Sequence, residues 1–204
     1  MIENINRNRK ELIEMVDWKR PTYFIGYGSL MYPDGINGRG MKYFYDWQDL
    51  IPVVLKGFKR SFCALFKELA YYGVYRSDGD EFNAVAFEID IVHDYAMLLL
   101  DEGAHPVYQK PMYNVLNVRD SVEGFDFPED ARVMILETRD VDEKNGMIPE
   151  YYIRSTWEGI QHWGEAFTKK FLETGGLKYN KKDFTDAVRN PWRAGYSLSA
   201  AKRS

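Results

Sequence analysis

The stretch Thr22-Tyr23-Phe24-Ile25-Gly26-Tyr27-Gly28-Ser29-Leu30 decides how the chain folds. Its first four residues are β-branched or aromatic, which is typical of a buried strand. The two glycines that follow indicate a tight turn where the strand ends, because glycine adopts backbone angles that other residues avoid. Such a turn presents backbone amides with few side chains in the way, and this suits a carboxylate or a developing oxyanion. An ordinary tight turn without a ligand is the alternative interpretation.

Further strand patterns follow along the chain. We predict strands at residues 52–63, 71–75, 82–89, 113–118 and 132–138. The turn-forming run Ser77-Asp78-Gly79-Asp80 predicts a hairpin between the second and third of these strands. Together with the first stretch they make a sheet of about six strands. The expected fold class is therefore α+β, a mixed sheet with flanking helices.

Two helices are expected after the first hairpin. One covers residues 91–100, with Asp90 as its N-cap and Gly103 as a stop signal. The other begins near Pro149, because proline suits the first turn of a helix, and continues to about residue 173. Residues 31–48, rich in glycine and proline at their start, are predicted to form a long surface loop.

Length and composition restrict the class of protein. A chain of 204 residues that is 45% hydrophobic predicts one domain with a real core. We divide it into an N-terminal helix (residues 1–20), the domain (21–175) and a C-terminal extension (176–204) that packs on the domain or frays. The net charge of -4, from 27 basic and 31 acidic residues, gives no general field for nucleic acid. No apolar run is long enough to span a membrane, so a cytoplasmic protein is expected. The oligomeric state stays open.

The common cofactor and nucleophile motifs are missing from the sequence. The glycine stretch after the first strand lacks the third glycine of a dinucleotide fingerprint, and no phosphate-binding loop with lysine follows. Ser29 lies between Gly28 and Leu30, so it lacks the G-x-S-x-G pattern of a nucleophile elbow. His93, His105 and His162 do not have the spacing of a metal-binding helix, and no metal or cofactor is predicted. A hydrolase that pairs Ser29 with a distant histidine remains an alternative.

The candidate acid/base is a carboxylate at the end of the central helix. Glu102 follows an apolar run and precedes Gly103, so it should emerge at the edge of the core. Partial removal from water disfavours the charged form of a carboxyl and prepares it for general acid/base work. The neighbouring Asp101 is the competing candidate. The alternative without a catalytic role is that Glu102 is a solvated residue at a helix end.

Four segments carry a combined pattern. The first two are Phe24-Ile25-Gly26-Tyr27-Gly28-Ser29-Leu30-Met31 and Leu55-Lys56-Gly57-Phe58-Lys59-Arg60-Ser61-Phe62-Cys63. The next are Leu100-Asp101-Glu102-Gly103 with Tyr108, and then Pro149, Tyr152, Gly159 and Gly164. Together they resemble the gamma-glutamylcyclotransferase superfamily, in the family's order over residues 23–172, and the motifs are most similar to its ChaC-type, glutathione-degrading branch.

The resemblance implies a sheet that closes into a small barrel, with a pocket beside the glycine turn. It implies release of 5-oxoproline from a γ-glutamyl amide by a lyase or transferase that needs no cofactor. Glutathione, a γ-glutamyl amino acid or a γ-glutamylamine would be the small-molecule substrate. Glu102 would be the catalytic residue, and the substrate-binding residues would be Tyr27, Gly28, Ser29, Leu30, Arg60, Tyr108 and Tyr152. A binding module of the same fold, without turnover, for a small anionic or amino-acid-like ligand or for a protein partner, is the alternative.

Overall fold

A computed structural model of the chain describes residues 9–18, 20–143, 147–175 and 196–197. Its helices are α1 (Arg9–Glu14), α2 (Pro33–Asn37), α3 (Val92–Asp101), α4 (Glu150–His162) and α5 (Gly164–Thr174). Its strands are β1 (Thr22–Gly26), β2 (Leu50–Phe66), β3 (Leu69–Ile89), β4 (Tyr113–Asn117), β5 (Val122–Glu123), β6 (Arg132–Thr138), β7 (Met147–Ile148) and β8 (Tyr196–Ser197).

Six strands form the main sheet, in the order β4-β6-β1-β3-β2-β5. Every residue of β1 is buried, because it pairs antiparallel with β3 on one side and parallel with β6 on the other. The short strands β7 and β8 pair with each other, and β7 also pairs with the first residue of β3, Leu69. The result is the predicted α+β fold, a mixed half-barrel with flanking helices.

The hairpin predicted around residues 77–80 is wrong. β3 runs without interruption from Leu69 to Ile89 and pairs with β2 along most of its length. The chain reverses instead before β3, at Lys67, which has a positive φ of 57°. The turn-forming residues 77–80 lie in an irregularity, since Lys56 pairs with Glu81 whereas Phe58 pairs with Arg76. Pairing with a long partner strand therefore overrides the local turn signal.

The central helix α3 differs from its prediction at its first residue. The N-cap is Ile91, which makes no side-chain cap hydrogen bond, so Asp90 does not have the predicted capping role. The helix ends as predicted before Gly103, which has a φ of 72°. The buried Asp94 accepts hydrogen bonds from the backbone N–H groups of Lys42 (2.7 Å) and Tyr43 (2.9 Å). α3 thereby anchors the segment 31–48, which itself contains α2.

The last predicted helix is two helices. It begins at Glu150, as expected from Pro149, but α4 ends at His162 and α5 starts at Gly164, whose φ is 85°. α4 packs closely on the turn after β1. A Cβ atom at Gly159 would lie 2.9 Å from the carbonyl oxygen of Met31, so the two backbones are in direct contact there.

The ends of the chain are described only in part. Of the predicted N-terminal helix, α1 covers residues 9–14, and its Leu12 is buried. Residues 15–18 are described and not helical, so the helix ends earlier than the predicted stop before Pro21. Residues 1–8 lie outside the described residues, as does the C-terminal extension apart from residues 196–197. The proposed domain boundaries remain predictions. Among the described residues, no helix is long and apolar enough to cross a membrane.

Candidate functional site

A cavity of about 590 Å³ opens where β1 ends. Four parts of the chain form its walls: the turn after β1, the α2 region, the end of α3 and the start of α4. The lining residues are Tyr27, Gly28, Ser29, Leu30, Tyr32, Asp34, Gly35, Gly38, Arg39, Phe66, Tyr71, Tyr72, Asp101, Glu102, Met112, Tyr113, Tyr151, Tyr152 and Ser155. The predicted glycine turn and the predicted carboxylate thus lie in one cavity, although about 70 residues separate them in sequence.

The turn is held against a tyrosine of α4. The Tyr152 hydroxyl accepts a hydrogen bond of 3.2 Å from the backbone N–H of Tyr72. A Cβ atom at Gly28 would lie 2.1 Å from that hydroxyl oxygen, well inside van der Waals contact. Glycine is therefore required at position 28 so that the turn and the phenol can approach each other.

Glu102 is paired with an arginine that the sequence did not point to. The Nε of Arg39 donates to Glu102 Oε1 at 2.8 Å, and its Nη2 also contacts that oxygen. Nε lies 3.1 Å from Asp101 Oδ2. The side chains of Arg39 and Glu102 are only 14% and 19% exposed, whereas Asp101 is 55% exposed. Glu102 thus faces the interior of the cavity and Asp101 its solvent side.

The segment 31–48 places Arg39 over the two carboxylates. The Asn37 side chain donates to the backbone carbonyl of Tyr45 and accepts from its N–H, each at 2.9 Å. Gly35 packs so closely that a Cβ atom there would lie 2.0 Å from the Ser29 carbonyl oxygen. Burial lowers the pKa of Arg39, but the charges of Glu102 and Asp101 outweigh it and the net direction is upward. Arg39 is therefore a cation at neutral pH.

Four phenols surround the Glu102 carboxylate. Burial is the main cause that raises the pKa of Tyr27, Tyr71, Tyr113 and Tyr152, and the negative charge of Glu102 adds to it in each case. These side chains stay neutral and can donate hydrogen bonds. The Tyr27 hydroxyl donates to the Leu136 carbonyl at 2.8 Å. The Tyr113 hydroxyl, by contrast, has no hydrogen-bond partner among the described residues, although the side chain is only 6% exposed.

Two predicted substrate-binding residues lie elsewhere. Tyr108 does not line the cavity; its hydroxyl donates to the Leu100 carbonyl at 2.8 Å. Arg60 is completely buried behind the sheet, where its guanidinium donates to the carbonyls of Asn83 (2.7 Å) and Phe171 (3.2 Å). Its central carbon also lies 3.6 Å from the centroid of the Phe171 ring. Arg60 therefore joins β2, β3 and α5, and burial lowers its pKa.

A tyrosine that lines the cavity near Glu102 is Tyr113, and the sequence motif had indicated Tyr108 as the substrate contact. Tyr113 opens β4 and lines the cavity, whereas the motif alignment selected Tyr108 five residues earlier. The sequence feature that could have indicated Tyr113 is its position as the first residue of the strand predicted after Gly103. For Arg39 no local signal existed, because it lies in a segment predicted only as a loop.

None of the three histidines supports a Ser29 nucleophile. His93 Nε2 lies 3.3 Å from the Gly40 carbonyl, and His162 stacks on Trp47 with ring centroids 3.6 Å apart. His105 is buried, with Nε2 at 2.9 Å from the Leu12 carbonyl and Nδ1 accepting from the Val107 N–H. The hydrolase alternative therefore lacks its base. In the described parts of the chain, no group of three or more His, Cys, Asp or Glu side chains is placed to hold a metal ion.

Comparisons with known proteins agree with this architecture. No family model and no curated protein matches the chain. Among solved structures, YkqA from Bacillus subtilis superposes with a TM-score of 0.58 at 20% identity, over 78% of this chain and 55% of YkqA. The chain thus spans about half the length of YkqA. An uncharacterized human protein, loc79017, superposes with a TM-score of 0.55 at 16% identity, over 84% of this chain and 99% of its own.

A third solved structure carries a functional name. A protein described as gamma-glutamyl cyclotransferase superposes with a TM-score of 0.52 at 13% identity, over 83% of this chain and 99% of its own. At these identities the likeness concerns the course of the backbone. The chain has the gamma-glutamyl cyclotransferase fold.

Proposed function

We propose that the protein is a gamma-glutamylcyclotransferase-like enzyme that releases 5-oxoproline from a γ-glutamyl amide. The observation that carries this proposal is that Glu102 and the turn at residues 27–30 line one cavity. The reaction needs both parts: a carboxylate that moves protons, and backbone donors that hold the substrate and stabilise a tetrahedral oxyanion. The structural likeness to a gamma-glutamyl cyclotransferase supports the choice of reaction.

The substrate contains its own nucleophile. The α-amino group of the γ-glutamyl moiety attacks its own γ-carbonyl carbon, and a C–N bond closes a five-membered ring. The step is intramolecular from the start, and holding the substrate folded lowers its barrier by keeping the amine and the carbonyl carbon in an attack geometry. Glu102 takes a proton from the α-ammonium and then gives one to the departing amine as the original amide bond breaks. The products are 5-oxoproline and a free amine, with no change in oxidation state.

Arg39 has a defined part in this proposal. Both of its closest nitrogens contact Oε1 of Glu102, so Oε2 remains for the substrate's ammonium. Fixing one carboxylate oxygen restricts the side chain to a single orientation, which is the condition for efficient proton transfer at hydrogen-bond distance. In this role Arg39 acts through Glu102 and is a positioning residue.

The test is an assay of 5-oxoproline release by purified protein. Glutathione, several γ-glutamyl amino acids and γ-glutamyl amides of simple amines are incubated separately, and the product is quantified by chromatography. We expect release from at least one of them, with a fall of about 10²-fold or more in Glu102→Gln. Asp101→Asn is the matched control, because it neutralises the adjacent, more exposed carboxylate. Absence of release from every substrate, or equal activity of Glu102→Gln, would refute the proposal.

A binding module without turnover is the second candidate. It is favoured by the same ion pair, because Arg39 already occupies one oxygen of the carboxylate. In that case γ-glutamyl compounds would bind with measurable heat in calorimetry while no 5-oxoproline appears. Detection of turnover that depends on Glu102 decides against this candidate.

A further inference from the structure

Aromatic side chains line the open end of the cavity. Phe66 at the end of β2, Tyr71 near the start of β3 and Tyr151 at the start of α4 all contribute to its lining. Phe66 is 43% exposed and Tyr151 66% exposed, so these two rings lie at the mouth. Tyr71 is partly buried and lies between the mouth and the buried phenols of Tyr27, Tyr113 and Tyr152. The hydroxyls of Tyr71 and Tyr151 are hydrogen-bonded at 2.9 Å, which holds the two rings together.

The charged side chains of the lining are mostly acidic. Among the described residues, Asp34, Asp101 and Glu102 line the cavity with one guanidinium, that of Arg39, so the lining has a formal charge of -2. Arg39 is already paired with two of these carboxylates. Asp34 is exposed, and its carboxylate accepts a hydrogen bond of 3.0 Å from the Tyr32 hydroxyl.

We infer that the amine half of the substrate carries a positive charge and no carboxylate, as a diamine does. This inference rests on the proposed function. The γ-glutamyl half is a zwitterion, so it leaves the negative charge of the lining uncompensated. A second ammonium, on the leaving amine, would lie against the rings of Tyr71 and Tyr151, in the cavity that Asp34 also lines. One exposed ring strengthens the binding of a cation by about twofold to fivefold, and an acidic cleft concentrates cations further.

A carboxylate on the leaving amine would be disfavoured at the same place. It would share the cavity with Asp34, and the guanidinium that lines the cavity is already paired with two carboxylates. Two further cations lie close to the mouth, outside the lining itself. Lys67 Nζ lies 5.5 Å from the Phe66 ring centroid and does not line the cavity. In the shallow groove beside Tyr151, Arg154 is accompanied by Glu158, so the formal charges cancel.

Three γ-glutamyl amides with matched chain lengths test the inference. Their leaving amines are 1,4-diaminobutane, butylamine and 4-aminobutanoate; while bound in the amide, these amine halves are cationic, neutral and anionic, respectively, at neutral pH. We expect kcat/KM for 5-oxoproline release to fall in that order, with about a tenfold or larger difference between the cationic and anionic amides at low salt. The difference should shrink at high ionic strength, because salt screens interactions of exposed charges.

Two variants separate the local charge from the net charge. Asp34→Asn should narrow the preference for the cationic over the neutral amide by about twofold to fivefold, the range for one exposed charge pair. Asp78→Asn removes the same charge from an exposed position in the irregularity at residues 77–80, away from the cavity lining, and should keep the preference.

The outcomes distinguish this inference from the proposed function. Release of 5-oxoproline from none of the amides, nor from any other γ-glutamyl compound, refutes the proposed function. Release in which the anionic amide is as good as the cationic one overturns only the charge preference. If Asp34→Asn and Asp78→Asn reduce the preference for the cationic over the neutral amide equally, the inference is also overturned, because the preference would then come from the net charge of the whole protein.

Discussion

Replacing Arg39 by methionine tests the ion pair at the centre of the cavity. Methionine keeps an unbranched stem of similar length and removes the guanidinium. Glu102, which is only 19% exposed, loses two contacts to one oxygen, and Asp101 loses a contact of 3.1 Å. Two adjacent carboxylates are then left without their cation, so both the stability of the fold and the orientation of Glu102 should suffer.

The size of the effect follows from the burial of the pair. Removing one partner of a fully buried ion pair costs about 3–5 kcal/mol. Water in the open cavity can hydrate Glu102, and Asp101 is more than half exposed, so we expect about 2 kcal/mol for Arg39→Met. For a chain of this length, 1 kcal/mol corresponds to about 2–4 °C in Tm, which predicts a decrease of about 4–8 °C.

Thermal unfolding and turnover should be measured on the same samples. In the assay, Arg39→Met should lower kcat by about tenfold to a hundredfold, because Glu102 is no longer fixed for proton transfer. Arg39→Lys should recover part of it, since one ammonium restores the charge but not the planar fork. Arg76→Met is the matched control: Arg76 is itself 71% exposed and pairs at 3.5 Å with Glu137. Glu137 keeps a hydrogen bond from Asn114, so the loss should cost at most about 1 kcal/mol.

If Arg39→Met unfolds at the wild-type temperature and retains the wild-type kcat, the ion pair supports neither the fold nor catalysis. An unchanged kcat with a raised KM would contradict the positioning role. In that case Arg39 binds the substrate directly and does not act by holding Glu102.

Four further changes address other parts of the structure. Tyr113→Phe should lower kcat by about tenfold at unchanged Tm, since no described residue accepts its hydrogen bond, whereas Tyr108→Phe should leave kcat unchanged. Gly28→Ala should abolish turnover, because the new methyl group would lie 2.1 Å from a buried phenol oxygen. Arg60→Met should lower Tm by about 6–12 °C, from a loss of about 3 kcal/mol, without raising KM; a raised KM at wild-type Tm would restore its role in substrate binding. Burial lowers the pKa of His105 below 6.5, so the unfolded state binds more protons and the unfolding free energy should fall as the pH drops below about 6.5. His105→Gln should flatten this dependence in thermal melts at a series of pH values.

Local sequence patterns predicted the elements that carry their own signal. The first strand, the helix before Gly103 and the strands that became β4 and β6 were predicted within one or two residues. Each has a dense apolar or β-branched run with a glycine or polar boundary, and burial of such a run is favourable in almost any packing. The prediction was wrong where pairing with another strand determines the structure. β3 continues through the turn motif at residues 77–80 because β2 pairs with β3 on both sides of that motif.

The candidate site likewise combines residues that local sequence indicated with residues that it did not. The turn at residues 27–30 and the adjacent carboxylates Asp101 and Glu102 were candidates from their own neighbours in sequence, and the family resemblance favoured Glu102. Arg39 and Tyr113 were not, because their proximity to Glu102 depends on how the segment 31–48 folds over α3 and on where β4 begins. Arg60 was assigned to the substrate from a motif, whereas the packing of α5 on the sheet buries it.

The sequence by itself determined the class of fold, the glycine turn and a short choice of carboxylates, because these depend on apolar periodicity and on glycine's backbone freedom. Only the tertiary structure decided that Glu102 rather than Asp101 faces the cavity interior, that Arg39 holds it and that acidic and aromatic side chains line the mouth. The physical reason is that exposure and charge pairing are properties of residues brought together from distant segments, and no single segment contains that information.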